Sequence, residues 1–266
     1  MAYFKNEKVK PIDQPNFSHN LHFWAVSLAE NGDYEEAIKV AKILAGVLNE
    51  SKRENTTKSQ NIYTAATLES FIEIRFNHFK KASKALAAIQ TVKDSGLDLY
   101  LKFLSNYCSM MEEVQKEQGD WDVVFTHIEE MKSGLKEFQT ARGKEKINQR
   151  ENQKAVYVME LLVSSSKVYQ FNLESGKKLD LEWVEFLLAD EAKLPYTEPP
   201  LLPTVMAEDV ADLCMAKGKP KLAIGYFEKA LEKRPKSIPV YRKLLAAYQQ
   251  TGNTEKATDI ERLITR

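Results

Sequence analysis

The sequence predicts an all-α protein in which antiparallel helix pairs stack into an α-solenoid, and two observations carry this prediction. The first is a repeat within residues 204–266: Gly218 and Gly252 are 34 positions apart, and so are Ala223 and Ala257. The second is composition, because the 266 residues contain only 10 Gly and 9 Pro. Stretches rich in Ala, Leu, Glu and Lys favour helices, and the alternating β-branched runs typical of strands are scarce.

The fixed spacing has a physical reason in helix packing. A glycine ends the first helix of each pair because the turn needs a left-handed backbone conformation. An alanine then lies where the second helix crosses the first, since a larger side chain would push the two axes apart. Pro235 follows the second helix of the first copy and stops it.

The segment AEDVADLCMAKGKPKLAIGYFEKALEKRP resembles a tetratricopeptide repeat. Four residues stand at that family's small, aromatic, small and proline positions: Ala223, Phe227, Ala230 and Pro235. Ala207 and Ala211 depart from the Trp and Gly that the family often has there. The resemblance implies a right-handed superhelix whose concave groove, lined by the first helix of each pair, binds protein or peptide.

The N-terminal part repeats this pattern. Residues 1–16 are polar and are expected to be an extended lead-in, Ser18 is the expected N-cap, and the first helix runs to about Asn31. In the stretch WAVSLAENGDYEEAIKVAKIL, Gly32 is the predicted turn residue, and Ala37 is predicted to lie where the second helix crosses the first. A polar connection over Asn49–Gln60 leads to a weaker pair, with Asn77 at the turn and Ala82 at the crossing. Asn is the non-glycine residue that best tolerates a left-handed turn.

The middle of the chain departs from the strict period. Helices are predicted over Leu97–Gln118 and Trp121–Thr140, with Asp120 as an N-cap between them, and then over Ala155–Phe171 and Asp180–Leu194, with Asp180 as a cap. The charged stretch ARGKEKINQREN begins the third of these helices or bridges to it, and PYTEPPLLP is a proline-rich break. We interpret the four helices as degenerate pairs, because solenoids tolerate length changes between units.

The predicted organisation is a single solenoid over residues 1–266. It comprises N-terminal helix pairs at 17–93, degenerate long pairs at 97–194 and a regular pair at 204–266. The HNLHF opening, the Pro-rich approach to the penultimate repeat and the regular C-terminal pair also resemble a group of bacterial tetratricopeptide proteins.

Composition excludes several classes of function. Basic and acidic residues balance at 38 each, so no global field attracts nucleic acid. Cys108 and Cys214 belong to no motif and are expected to be small buried hydrophobes rather than a disulfide. The start, MAYFKNEKVKPIDQPNF, lacks the apolar region of a secretory signal, and no window has about 18 uninterrupted apolar residues. The expected location is cytoplasmic, with no membrane span.

His19 and His22 are the most prominent candidates for chemistry. They are three positions apart on the first helix and therefore share a face, which the repeat register places on the groove lining. Two His at this spacing can bind a metal, but a third ligand and an open position are needed, and no HExxH motif or Cys/His cluster supplies them. Ser164–Ser166 lack a GxSxG elbow, and no GxGxxG or Walker motif is present. No catalytic residue, metal or cofactor is predicted.

The charges of the last third are segregated. Residues 180–212 hold nine acids and one base, and residues 217–243 hold nine bases and two acids. Either the two faces are solvated and partly compensate each other where repeats stack, or they form a groove with separated signs that orients a charged peptide. The repeat register places the following residues on or beside the groove lining: Glu208, Asp212, Arg242 and Lys243.

The sequence therefore favours a non-catalytic scaffold that binds protein or peptide in its concave groove. The predicted groove residues are His19, His22, Glu208, Asp212, Arg242 and Lys243. Two alternatives remain open at this point. One is a metal-dependent enzyme or hydrolase-associated domain with a site near His19 and His22, and the other is a self-association module of a longer protein that forms a homo-oligomer.

Overall fold

Twelve α-helices and no strand make up the part of the chain that the computed structural model describes, which is residues 15–48, 56–89, 95–116, 118–142, 149–173 and 181–265. In chain order the helices are α1 Pro15–Glu30, α2 Tyr34–Leu48, α3 Thr56–Arg75, α4 Phe79–Ala87, α5 Ser95–Val114, α6 Trp121–Arg142, α7 Gln149–Leu173, α8 Leu181–Ala192, α9 Met206–Ala216, α10 Pro220–Lys233, α11 Ile238–Gln250 and α12 Thr254–Ile264. The all-α prediction is confirmed for these residues.

The chain divides into two compact units. Unit 1 comprises Met1–Leu28, Tyr34–Val163 and Tyr196–Pro203, and unit 2 comprises Ala29–Asp33, Ser164–Pro195 and Thr204–Arg266. In unit 1, α2 packs on α3, α3 on α4, α4 on α5 and α5 on α6, and α3 also contacts α5. In unit 2, α8 packs on α9, α9 on α10, α10 on α11 and α11 on α12.

The predicted turns adopt the left-handed conformation that the sequence pattern requires. The backbone φ angle is 83° at Gly32, 59° at Asn77, 64° at Gly218 and 72° at Gly252. After Gly218, the N–H of Lys219 donates to the carbonyl of Cys214 at 2.9 Å, which satisfies a carbonyl that the end of α9 leaves unpaired. The turn residue thus reverses the chain and also completes the hydrogen bonding of the preceding helix.

A buried alanine follows each of these turn residues by five positions. Ala37, Ala82 and Ala223 are 0% exposed, and Ala257 is 7% exposed. Each lies in the second helix of its pair, so the predicted positions of the small residues are confirmed.

A polar network in unit 1 joins the start of α2 to the turn between α3 and α4. The hydroxyl of Tyr34 lies 2.9 Å from an oxygen of the buried Glu73 carboxylate and accepts a hydrogen bond from Lys81 Nζ at 2.9 Å. His78 Nδ1 lies 3.0 Å from the other oxygen of Glu73. These contacts hold consecutive helix pairs together through side chains.

Some predicted details differ from the structure. Ser18 is not an N-cap, because α1 already begins at Pro15 and Ser18 is buried inside it. The connection over Asn49–Gln60 is shorter than predicted, because α3 begins at Thr56. Asp180 lies outside the described residues.

Other details are confirmed. Asp120 caps α6, since its Oδ1 accepts hydrogen bonds from the N–H groups of Asp122 and Val123 at 3.0 and 3.3 Å. Both cysteines are free and fully buried. Among the described residues, no helix combines the length and the apolar composition needed to cross a membrane.

The buried alanines generate a test of the helix register. Replacing Ala37 or Ala223 by Leu should lower the free energy of unfolding by roughly 1–3 kcal/mol, because the added methylene groups overpack a helix crossing. Ala246→Leu, at an exposed alanine of α11, is the matched control and should change it by about 0.5 kcal/mol or less. Urea unfolding followed by circular dichroism measures the difference. Equal stability of all three variants would show that the crossings lie elsewhere.

Candidate functional site

A cleft of about 440 Å³ lies within unit 1. Its walls come from α1, α3, α5 and α7, which are the first helices of four successive predicted pairs, and from Thr197–Leu201 in the segment before α9. The volume falls within the range of ordinary ligand sites in proteins. We call this feature the unit 1 cleft.

Helix α1 contributes both histidines that the sequence singled out. His19 is exposed and packs edge-on against Phe23, with ring centroids 4.9 Å apart. Burial, together with the nearby charges of His19 and Lys154, lowers the pKa of His22 to about 4. His22 is therefore neutral near pH 7, when one ring nitrogen donates a hydrogen bond and the other accepts one.

Helix α7 brings charged side chains to the cleft that the sequence analysis did not single out. Lys154 Nζ lies 2.8 Å from Glu151 Oε1, so this pair neutralises itself. Arg150 is exposed, and among the described residues no ion pair involves its guanidinium. The sequence could have indicated these two cations as a pair, because positions 150 and 154 share one face of a helix.

Aromatic side chains from α3 and α5 form the floor of the cleft. The rings of Tyr63 and Tyr100 meet edge-on with centroids 5.5 Å apart, and both lie near the ring of Phe138. The Tyr63 hydroxyl donates to Asn152 Oδ1 at 3.2 Å, which ties α3 to α7. Burial raises the pKa of Tyr100, and Tyr63 adds to this effect, so Tyr100 stays a neutral part of the floor.

The other predicted groove residues belong to unit 2. Lys243 Nζ lies 2.8 Å from Glu208 Oε1 and 2.6 Å from Asp212 Oδ2, and Glu208 is 0% exposed. Burial lowers the pKa of Lys243, but the carboxylates of Asp212 and Glu208 outweigh it and raise the pKa overall. Two carboxylates of α9 therefore already balance the charge of Lys243, which the sequence analysis placed on or beside the groove lining. Arg242 is exposed.

The segregated charges of the last third compensate each other in unit 2. Lys243 and Lys233 come from the basic stretch, and they pair with Glu208 and Glu191 of the acidic stretch. Glu191 also accepts a hydrogen bond from the N–H of Met206 at 2.9 Å, at the start of α9. The interpretation that the two stretches compensate each other is confirmed for these pairs.

Asp209 is a further residue that the sequence analysis did not single out. Its side chain is 7% exposed. Burial and the nearby charges of Glu208 and Asp212 raise the pKa of the Asp209 carboxyl to about 8, although a hydrogen bond from Thr204 and the charge of Lys243 act against the shift. Asp209 is therefore mainly protonated at pH 7.

The described residues contain no group of three or more His, Cys, Asp and Glu side chains placed to hold a metal ion. Comparisons with protein-family models, with curated proteins and with solved structures returned no match. The tetratricopeptide resemblance therefore stays a prediction from the sequence.

The pairing of Lys243 generates a test with a matched control in the neighbouring residue. Lys243→Ala should lower the free energy of unfolding by roughly 3 kcal/mol, because it leaves the buried Glu208 carboxylate without its cation. Arg242→Ala should change it by about 0.5 kcal/mol or less, since Arg242 is exposed. Both are measured by urea unfolding at pH 7. Similar small effects of the two substitutions would show that Lys243 does not stabilise the fold.

The raised pKa of Asp209 generates a pH test. Between about pH 4 and pH 8 the folded state keeps a proton that the unfolded state has released, so stability should fall as the pH rises through this window. Asp209→Asn removes the titration, and its free energy of unfolding should fall less than that of the parent between pH 5 and pH 8. Asp259→Asn, at an exposed position of α12, should keep the parent's slope. A parent slope retained in Asp209→Asn would contradict the assignment.

Proposed function

We propose that this protein is a non-catalytic scaffold that binds a peptide segment of another protein in the unit 1 cleft. The observation that carries the proposal is the origin of the cleft walls: α1, α3, α5 and α7 each contribute side chains to one cleft. Because side chains from four helices surround the cleft, a chain segment can present several successive side chains to them, which a compact metabolite cannot do.

The chemistry of the lining supports this ligand class. Most backbone groups of the helices that line the cleft are hydrogen-bonded within the helices, so recognition in the cleft depends mainly on side chains. His22 and Thr64 offer hydrogen-bonding groups, Arg150 offers a cation, and Phe71 offers apolar surface. Formal charges in the lining balance, because Arg150 and Lys154 are matched by Glu151 and Glu198. Such mixed polarity suits a peptide, which presents amides, apolar side chains and charges together.

Two other functions were open from the sequence. The metal-dependent enzyme placed near His19 and His22 needs further ligands, and the described residues provide no such group. Self-association predicts a molar mass that rises with protein concentration. A measurement of the molar mass in solution therefore distinguishes it from the peptide-binding scaffold. We favour the peptide-binding scaffold because the cleft gives it a specific location.

Site-specific photo-crosslinking in cells tests the location of binding. A photoreactive phenylalanine analogue at His19 or Thr64 places the probe in the cleft, and the same probe at Glu36 or Lys80 places it on an exposed position of a second helix. We expect covalent adducts with another polypeptide from the two cleft positions. The two control positions should give none, because the proposed ligand does not reach them.

Adducts from the control positions alone, or equal adducts from all four, would overturn the proposal. Melting temperatures of the four variants serve as the folding control. Adducts whose mass equals twice that of the chain would instead support self-association.

A further inference from the structure

We infer that the unit 1 cleft binds the phosphate group of a phosphorylated side chain, so that the peptide ligand of the proposed function is a phosphopeptide. This inference rests on the proposed function and names its ligand. Two pairs of hydrogen-bond donors that line the cleft carry it: Ser18 and His22 on α1, and Arg150 and Lys154 on α7.

The α1 pair includes a buried hydroxyl whose bonding capacity is unused. Ser18 lines the cleft and is 0% exposed, and its hydroxyl oxygen has no hydrogen-bond partner among the described residues. A buried hydroxyl without a partner is costly, and native structures usually satisfy it. His22 lies one helical turn further along the same face and also lines the cleft. A ligand group with acceptor oxygens can therefore bond to the hydroxyl and to the imidazole N–H together.

The α7 pair supplies positive charge on the same cleft. Arg150 is exposed, and among the described residues no ion pair involves its guanidinium. Lys154 donates one hydrogen bond to Glu151 at 2.8 Å, and its ammonium has two further N–H groups. The charge of Lys154 contributes to the low pKa of His22, so the α7 pair lies close enough to the α1 pair for both to act on one ligand group.

The two carboxylates of the lining already have hydrogen-bond donors of their own. Glu151 accepts from Lys154, and Glu198 accepts from the hydroxyl of Tyr196. Tyr196 is 84% exposed and Glu198 is also exposed, so water and salt screen the charge of this second carboxylate. The groups that the cleft leaves unused are therefore mainly donors and a cation. Their complement is an anion that is rich in acceptor oxygens.

The number and origin of the donors favour a phosphate over a carboxylate. They come from three helices, because α3 adds the hydroxyl of Thr64 to the two pairs. A carboxylate has two oxygens in one plane, whereas a phosphate ester has three terminal oxygens and a charge of about −1.5 to −2 at pH 7. A phosphate can therefore bond to donors from several helices at once, and a guanidinium binds two of its oxygens together.

Peptide libraries test which chemical group the full chain selects. Three sets of dye-labelled peptides carry phosphoserine, Glu or Ser at the central position, with random residues on both sides. Fluorescence anisotropy at about 0.15 M salt measures their binding, so that weak long-range attraction is screened. We expect the phosphoserine set to bind about tenfold more tightly than the Ser set, and also more tightly than the Glu set.

Charge reversal at Arg150 tests where the phosphate binds. Arg150→Glu should weaken binding of the phosphoserine set about tenfold or more, because repulsion replaces attraction. Lys80→Glu makes the same charge change at an exposed residue of α4 outside the cleft lining, and it should change the affinity less than about twofold. Circular dichroism checks that each variant is folded.

Ser18→Ala separates a binding role from a structural one. The substitution should weaken binding of the phosphoserine set about fivefold, because the phosphate loses a donor. The free energy of unfolding should stay unchanged or rise, since the buried hydroxyl has no partner to lose. Unlabelled O-phosphoserine is the competitor that distinguishes a phosphopeptide from a small phosphate ester. It should displace the phosphoserine set only at a much higher concentration than the unlabelled peptides do, because they make further contacts.

The inference is overturned if the folded parent binds no set, if the Ser or Glu set binds as tightly as the phosphoserine set, or if Ser18→Ala leaves binding unchanged. Equal effects of Arg150→Glu and Lys80→Glu would also overturn it. In each of these cases, crosslinks from His19 and Thr64 would leave the proposed function standing with another ligand class. Competition by O-phosphoserine that matches the peptides, without crosslinks, would overturn the phosphopeptide and the proposed function together.

Discussion

The architecture depends on one local constraint, a left-handed turn residue followed five positions later by a buried small residue. Gly32, Asn77, Gly218 and Gly252 all have positive φ angles, which reverse the chain at the end of a helix. The returning helix then carries a buried alanine, at a position where a larger side chain would hold the helices apart. Both features are needed. Without the turn residue the first helix would continue, and a larger side chain in place of the alanine would keep the second helix from packing closely.

This constraint also determines which side chains line the unit 1 cleft. When each second helix returns along the first, neighbouring first helices approach each other, as the contact between α3 and α5 illustrates. Side chains from several first helices then line one cleft. The lining consequently combines aromatic rings such as Tyr63 with polar groups such as His22. Any recognition in such a cleft depends mainly on side-chain chemistry.

The sequence predicted the turns and the buried alanines that follow them because both are local, and local geometry can be inferred from residue type and spacing. The same register placed His19 and His22 on a lining face, and both line the unit 1 cleft. Arg150 and Lys154 were missed because their stretch is charged throughout, and charge alone does not distinguish a solvated face from a lining one. Ser18 was misplaced because serine's preference for N-caps is weaker than the packing that buries it within α1.

Lys243 and Arg150 show why the availability of a charge cannot be predicted from one helix. Both lie on helices with other charged residues, and the sequence alone made Lys243 the better candidate for binding. In unit 2, however, α9 supplies Glu208 and Asp212 within 2.8 Å of Lys243, and Arg234 likewise pairs with Glu30 at 2.5 Å. Those cations stabilise packing and have little capacity left for a ligand. A charge binds a partner only where the neighbouring helix leaves it unbalanced, so the contacts between elements decide its role.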